Sequence, residues 1–246
     1  MQSSICLIEI HGDLDYTAST PNTFASRRMG MRTFLRRVFV VLFRLLTHLE
    51  VSGLENIPKS GPCLLTLNHL SVVDAPLIFH LVERPDVTAI VARKHQRNPF
   101  FRWFVNQVSG VWLDRTNLDV DALRQARQLL RNGWILGIAP EGTRSRTHAL
   151  QEAKPGVAFL AAQCKVPVLP VGIVGTERVF SSWLRLKRPH LKVHFGQLFT
   201  PPPLERKNRD ASMKRNTDLI MCHIAALLPP EYRGVYAERC NEGTPA

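Results

Sequence analysis

Residues Asn68-His69-Leu70-Ser71-Val72-Val73-Asp74 follow directly on Cys63-Leu64-Leu65-Thr66-Leu67, a short apolar run of the kind that forms a buried strand. A histidine and an aspartate five positions apart cannot meet on one continuous helix, where five steps separate them by about 140°. They can meet if His69 lies in the loop after the strand and Asp74 in the first turn of the next helix. The carboxylate then accepts from Nδ1–H, fixes the tautomer and leaves Nε2 as a general base. The same residues also read as structure alone: Ser71-x-x-Asp74 has the spacing of a capping box, and Asp74 before Ala75-Pro76 suits an N-cap.

A second apolar run, Trp134–Ala139, also ends in polar residues, Pro140-Glu141-Gly142-Thr143-Arg144-Ser145-Arg146. Gly142 lets backbone amides approach an anion, Thr143 adds a hydroxyl, and Arg144 can clamp phosphate oxygens with two parallel bonds. The structural alternative is a glycine turn with solvated charges. Gly110-Val111-Trp112-Leu113-Asp114-Arg115 delivers another arginine at a strand end, and Val166-Pro167-Val168-Leu169-Pro170-Val171-Gly172 is an apolar strand with no ionisable group.

These clusters need a scaffold that brings strand ends together. Runs 63–67, 87–92, 111–113, 134–139, 168–174 and 191–195 read as strands. Helical stretches fall at about 75–82, 99–108, 119–132, 156–164 and 212–228. Continuous apolar strands spaced by helices predict an α/β fold with a mostly parallel central sheet flanked by helices. Ligands of such sheets collect beyond the carboxyl ends of the strands, so the polar clusters should share one crevice.

Ahead of this lies residues 27–49, which hold no acidic residue. Wound as a helix, this segment puts Arg32, Arg36, Arg37 and Arg44 on one arc and Phe34, Leu35, Val38, Val41, Leu42, Leu45, Leu46 and Leu49 on the other. The pattern predicts an amphipathic helix lying in a membrane surface, its uncharged run too short to span a bilayer. A helix packed on the core with a solvated basic face is the other reading. Residues 1–26 are polar and irregular, without the pattern of a secretory leader, and are expected to be dispensable.

The four motifs N-H-x-S-x-x-D, G-x-x-x-x-R, P-E-G-T-R-S and V-P-V-x-P-V, in this order, resemble the glycerolipid acyltransferase family, best known for PlsC-type 1-acylglycerol-3-phosphate acyltransferases. The resemblance covers residues 50–235, including the closing Pro-Pro-Glu-Tyr-Arg-Gly-Val-Tyr-Ala, with a motif core at 63–177 and a tail at 236–246. It implies transfer of a fatty acyl group from acyl-CoA or acyl carrier protein to a lysophospholipid hydroxyl, giving phosphatidate from 1-acylglycerol 3-phosphate. It makes His69 the base and Asp74 its orienting partner, gives the acceptor phosphate to Arg115, Gly142, Thr143 and Arg144, and has Glu141 order that loop. Neither a metal nor a cofactor is implied. Family members often carry Ala-Lys-x-Glu-Leu where this chain has Ala92-Arg93-Lys94-His95-Gln96, so Arg93 alone stands at the lysine position. Glycerol 3-phosphate, another lysophospholipid or a lyso-aminolipid would meet the same motifs. A basic, non-catalytic lipid-binding protein is the reading of another class.

Composition fits an anionic partner: the formal charge is +12 over 246 residues. Nucleic acid is disfavoured, since no helix-turn-helix, zinc finger or aromatic RNA-binding motif occurs. The expected place is the cytoplasmic face of the membrane, held peripherally or monotopically through residues 27–49. Five scattered cysteines without C-x-x-C spacing are expected to be reduced thiols.

Overall fold

The computed structural model describes residues 23–114 and 119–240, with side chains from Gly30 onward. Arg115 and most of the 1–26 segment therefore lie outside the described residues. The elements in chain order are α1 (Thr23–Leu46), β1 (His48–Ser52), β2 (Cys63–Leu67), α2 (Asp74–Leu81), β3 (Val87–Ala92), α3 (Pro99–Gln107) and β4 (Val111–Leu113). They continue with α4 (Val120–Arg131), β5 (Ile135–Ile138), α5 (Gly156–Cys164), β6 (Val168–Val174), α6 (Val179–Leu184), β7 (His190–Phe195), α7 (Arg209–Ala226) and α8 (Tyr236–Arg239).

Seven strands form one sheet in the order β1-β7-β6-β2-β5-β3-β4. The five strands from β6 to β4 are mutually parallel; β7 runs antiparallel to β6, and β1 pairs parallel with β7. The predicted mostly parallel α/β architecture is what forms. Because strand side chains alternate, Leu64 and Leu65 enter different cores. Leu64, Leu136 and Val168 pack with residues of α4, α5 and α7, among them Ala126, Leu160 and Ile224. Leu65, Ile135 and Leu169 pack on the other face with Leu35 of α1, Leu77 of α2 and Phe104 of α3.

Three expectations are corrected. First, the N-terminal helix stops at Leu46, and His48–Ser52 is an edge strand paired His48↔His190 through Ser52↔His194. Leu49 stands four residues after Leu45, in phase with the helical apolar arc, which hid the boundary in the sequence. Second, the arginine arc does not face outward as a unit. Arg32 is buried, donates from Nη2 to the Val87 carbonyl and lies 5.6 and 5.5 Å from the Phe79 and Trp134 ring centroids. Arg36 donates to the carbonyls of Phe79, Val82, Glu83 and Arg84, the unpaired acceptors at the end of α2. Burial lowers both guanidinium pKa values, that of Arg32 to about 10. Arg37 and Arg44 stay exposed, as do the apolar Phe34, Val41, Leu42 and Leu45, so the outward face of α1 is largely apolar.

Third, Cys222 and Cys240 form a disulfide rather than two thiols. It ties α7 to the residue after α8, and Tyr236 in that supposed tail is fully buried. Cys63 and Cys164 are free, and burial pushes the Cys63 thiol up to about 12.

Candidate active site

Strand β2 ends at Leu67, and the side chain of the next residue takes over its pairing with β6. The buried Asn68 side chain donates from Nδ2 to the Ile173 carbonyl at 2.8 Å and accepts from the Ile173 amide at 2.7 Å. An amide side chain thus replaces the backbone of β2 as the partner of β6, and the main chain is free to turn into the loop. His69 is the first residue of that loop.

Asp74 opens α2, where the helix N-terminus favours a negative charge. Its Oδ2 accepts from His69 Nδ1 at 2.7 Å and from the Leu70 and Ser71 amides, each at 2.8 Å. Its Oδ1 accepts from the Thr176 hydroxyl at 2.6 Å. The Asp74 side chain is 1% exposed and that of His69 25%. The carboxylate is therefore held by four donors, and the partly exposed imidazole meets it through Nδ1, which leaves Nε2 as the ring nitrogen not bonded to Asp74. Asp74 is the first helical residue and not the N-cap, which is Val73 without a side-chain bond; its carboxylate instead orders the turn through two amides and orients the histidine through the same oxygen.

The Pro140–Arg146 loop grips His69 from the other side. Glu141, 3% exposed, accepts the His69 amide on Oε1 at 3.1 Å, while the Ser145 amide donates to the His69 carbonyl at 2.8 Å. The peptide of the histidine is thus bonded at both its donor and its acceptor by residues four apart in one loop. Glu141 ties the loop together and is not among the residues lining the adjacent cavity; its Oε2 accepts from the Gln151 amide. Burial raises its pKa above the usual carboxylate value. Gly142 adopts φ 70°, a left-handed conformation, and a Cβ there would lie 3.3 Å from the Lys154 side chain.

His69, Asp74, Gly142, Thr143 and Arg144 all line one cavity of about 810 Å³. Its walls are mostly apolar: all six residues of β3, Phe100, Phe101, Phe104, Val105 and Val108 on the α3 side, Phe39 of α1, and Phe180 of α6. Gly137 of β5 also lines it, and a side chain there would press on Thr88 and Ala89 of β3. A chain of reduced polarity can lie along β3, with ionisable groups at the ends of β2 and β5. Among the described residues, no three His, Cys, Asp or Glu side chains cluster as metal ligands.

Arg93 does not line this cavity; its guanidinium pairs with Asp119 at 3.2 Å, while its neighbours Lys94 and His95 do line it. Lys154, Arg146 and Thr176 were missed in the sequence. Lys154 and Arg146 line the cavity beside Arg144. Thr176 follows β6 as Gly175-Thr176, and the available signal was the rule already used twice: a polar residue just past a parallel strand end.

A family model described as Acyltransferase matches residues 48–174, just over half of the chain. The chain belongs to this family. Among curated relatives, a 1-acyl-sn-glycerol-3-phosphate acyltransferase of Chlamydomonas reinhardtii is 30% identical over 195 residues, 76% of this chain and 55% of that one. A probable 1-acyl-sn-glycerol-3-phosphate acyltransferase of Mycoplasma genitalium is 32% identical over 160 residues, 59% of each chain. The chain spans about half the length of the curated relatives it matches. In fold it is similar to the crystal structure of the 1-acyl-sn-glycerophosphate (LPA) acyltransferase PlsC from Thermotoga maritima, with TM-score 0.63, 24% identity and 84% of each chain covered.

Proposed function

We propose that this acyltransferase-family chain moves a fatty acyl group from acyl-CoA or acyl carrier protein to the free hydroxyl of 1-acylglycerol 3-phosphate, giving phosphatidate. One observation carries the reading: the Asp74-bound imidazole of His69 opens onto the same cavity as Arg144, with an apolar channel beside them. The printed names of the relatives support the acceptor.

In this scheme Arg144 and Lys154 receive the acceptor phosphate, and the acyl chain lies among the phenylalanines along β3. His69 Nε2 takes the proton of the acceptor hydroxyl as its oxygen attacks the thioester carbonyl carbon. The tetrahedral intermediate collapses by breaking the C–S bond, and the departing sulfur takes the proton back from Nε2–H. No acyl-enzyme, metal or cofactor enters. Asp74 holds the Nδ1–H tautomer throughout and stabilises the imidazolium.

In this reading the cavity mouth meets a bilayer surface, with the outward apolar face of α1 in the interfacial plane. Among the described residues no helix is long and apolar enough to cross a membrane; the exposed Phe34, Val41, Leu42 and Leu45 of α1 are what support a peripheral or monotopic contact.

Purified protein should release free thiol from acyl-CoA only when a lysophospholipid is supplied. His69→Ala should lower this by about 10²–10⁴-fold while vesicle binding persists. Unchanged turnover in that variant would remove the mechanism, and thiol release without an acceptor would remove the reaction.

A further inference from the structure

Leu184 and Leu186 are 87% and 97% exposed, the most exposed large apolar side chains among the described residues. Both belong to the turn Leu184-Arg185-Leu186-Lys187-Arg188 that ends α6 and leads into β7. The turn is fixed by its own backbone: Arg185 and Lys187 amides donate to the Ser182 carbonyl, and the Leu186 amide donates to that of Trp183. Leu186 sits at φ 53°, the left-handed position that follows a helix and normally goes to glycine. A leucine kept there, with its side chain in water, gains nothing for the fold.

Charge identifies what would cover it. Arg185, Lys187 and Arg188 surround the two leucines, and no Asp or Glu occurs between Glu177 and Glu205. The turn also abuts the C-terminal end of α1: Trp183 Nε1 donates to the Leu46 carbonyl at 3.0 Å, and Arg188 donates to the Arg44 and Thr47 carbonyls. On its other side Phe180, 50% exposed, lines the cavity.

We infer that the Leu184–Lys187 turn is a second membrane-insertion element, its leucines entering the acyl region of an anionic bilayer while Arg185 and Lys187 meet the lipid phosphates. Aliphatic tips ringed only by cations match a lipid surface better than an acidic protein, whose carboxylates would leave the leucines uncovered. The inference rests on the lipid-substrate reading above for the orientation of the cavity mouth, and it adds a contact independent of α1.

The test compares the native chain with Leu184→Gln/Leu186→Gln by flotation on vesicles of phosphatidylglycerol and phosphatidylcholine. Turnover is measured in parallel on a short-chain lysolipid dispersed without vesicles. Vesicle partition should fall by about tenfold or more, with turnover on the dispersed acceptor retained. A single Leu186→Gly variant should also bind vesicles less while melting no lower than the native chain, because glycine suits the left-handed position. Unaltered partition overturns the inference, as does the loss of a dimer, or of binding to an acidic acyl carrier protein, in place of vesicle binding. If the native chain transfers no acyl group to any acceptor, the reaction reading fails by itself, and the partition contrast still decides the turn.

Discussion

At the scale of single residues, the dyad owes its geometry to neighbours that carry no chemistry. Among the described residues, Thr176 gives Asp74 its one side-chain donor besides the histidine, from a position 102 residues later. Thr176→Val leaves a buried carboxylate oxygen unpaired, at roughly 1–3 kcal/mol. We expect kcat to fall about tenfold with the acceptor KM nearly unchanged, and Thr176→Ser to restore it. A change confined to KM would show that the threonine does not act through Asp74. Lys154 makes the opposite prediction: Lys154→Met should raise the acceptor KM about tenfold and spare the acyl-donor KM, measured by varying each substrate in turn. The sequence made His69 and Asp74 readable because an imidazole oriented by a carboxylate needs those residue types at a spacing that a strand end and a helix start can bring together. It gave Asn68 no role, because a side chain that substitutes for a strand's backbone leaves no periodic trace.

At the scale of elements, the closing Pro-Pro-Glu-Tyr-Arg-Gly-Val-Tyr segment lies beyond the 48–174 stretch that the family model matches, yet it packs onto that stretch. Tyr232 and Val235 exchange backbone bonds with Leu150, and the Tyr236 hydroxyl accepts the Ala153 amide, so this segment braces the stretch that bonds Glu141. The Tyr232 hydroxyl also donates to Glu177 at 2.8 Å, beside Thr176, and burial with that carboxylate pushes it up to about 12. Tyr232→Phe should cost about 1 kcal/mol of stability, read from denaturant midpoints. The packing of α1 on α2 predicts a pH effect. His80 of α2 stacks on Phe43 of α1 at 4.9 Å with Nδ1 unpartnered, and burial lowers its pKa. The unfolded chain then binds this proton more readily than the folded one, so stability is full above about pH 6.5 and is lost as the pH falls toward the folded value. His80→Phe should flatten that acid limb of a melting-temperature profile; an unchanged slope would place the loss elsewhere. Periodicity located most elements to within a few residues. It overran at α1, because an apolar residue in phase with the helix also starts the alternating β1 strand. It also could not say which face of α1 looks inward: arginines paired with carbonyls and aromatic rings count as polar in a helical projection but behave as core.

For the molecule as a whole, the disulfide and the two faces of the sheet set what can be removed. Cys222 and Cys240 are 18 residues apart, and a loop of that size stabilises by about 3 kcal/mol. Replacing both with serine should lower the melting temperature by roughly 10 °C and leave Cys63 unreactive, measured by calorimetry and by thiol labelling of the native state. Labelling of Cys63 without unfolding would contradict its burial. The scattered spacing of the cysteines concealed this pairing, since nothing short of the packed α7 and α8 brings those two positions together. The cavity was likewise invisible: it is lined by aromatic residues of four helices and by the bare backbone of Gly137, none of which belongs to a motif.

Helix α2 has only eight residues, too few to persist unsupported in water. Its first residue is pinned by the loop around His69 and its far end by the guanidinium of Arg36. The rod is as steady as its two clamps, and one clamp belongs to α1, the segment we propose to lie against lipid. A chain shortened past α1 would keep every reacting group yet let the aspartate drift from the ring it aims. Its turnover on a fully dispersed acceptor should drop, which mere loss of adhesion would not cause.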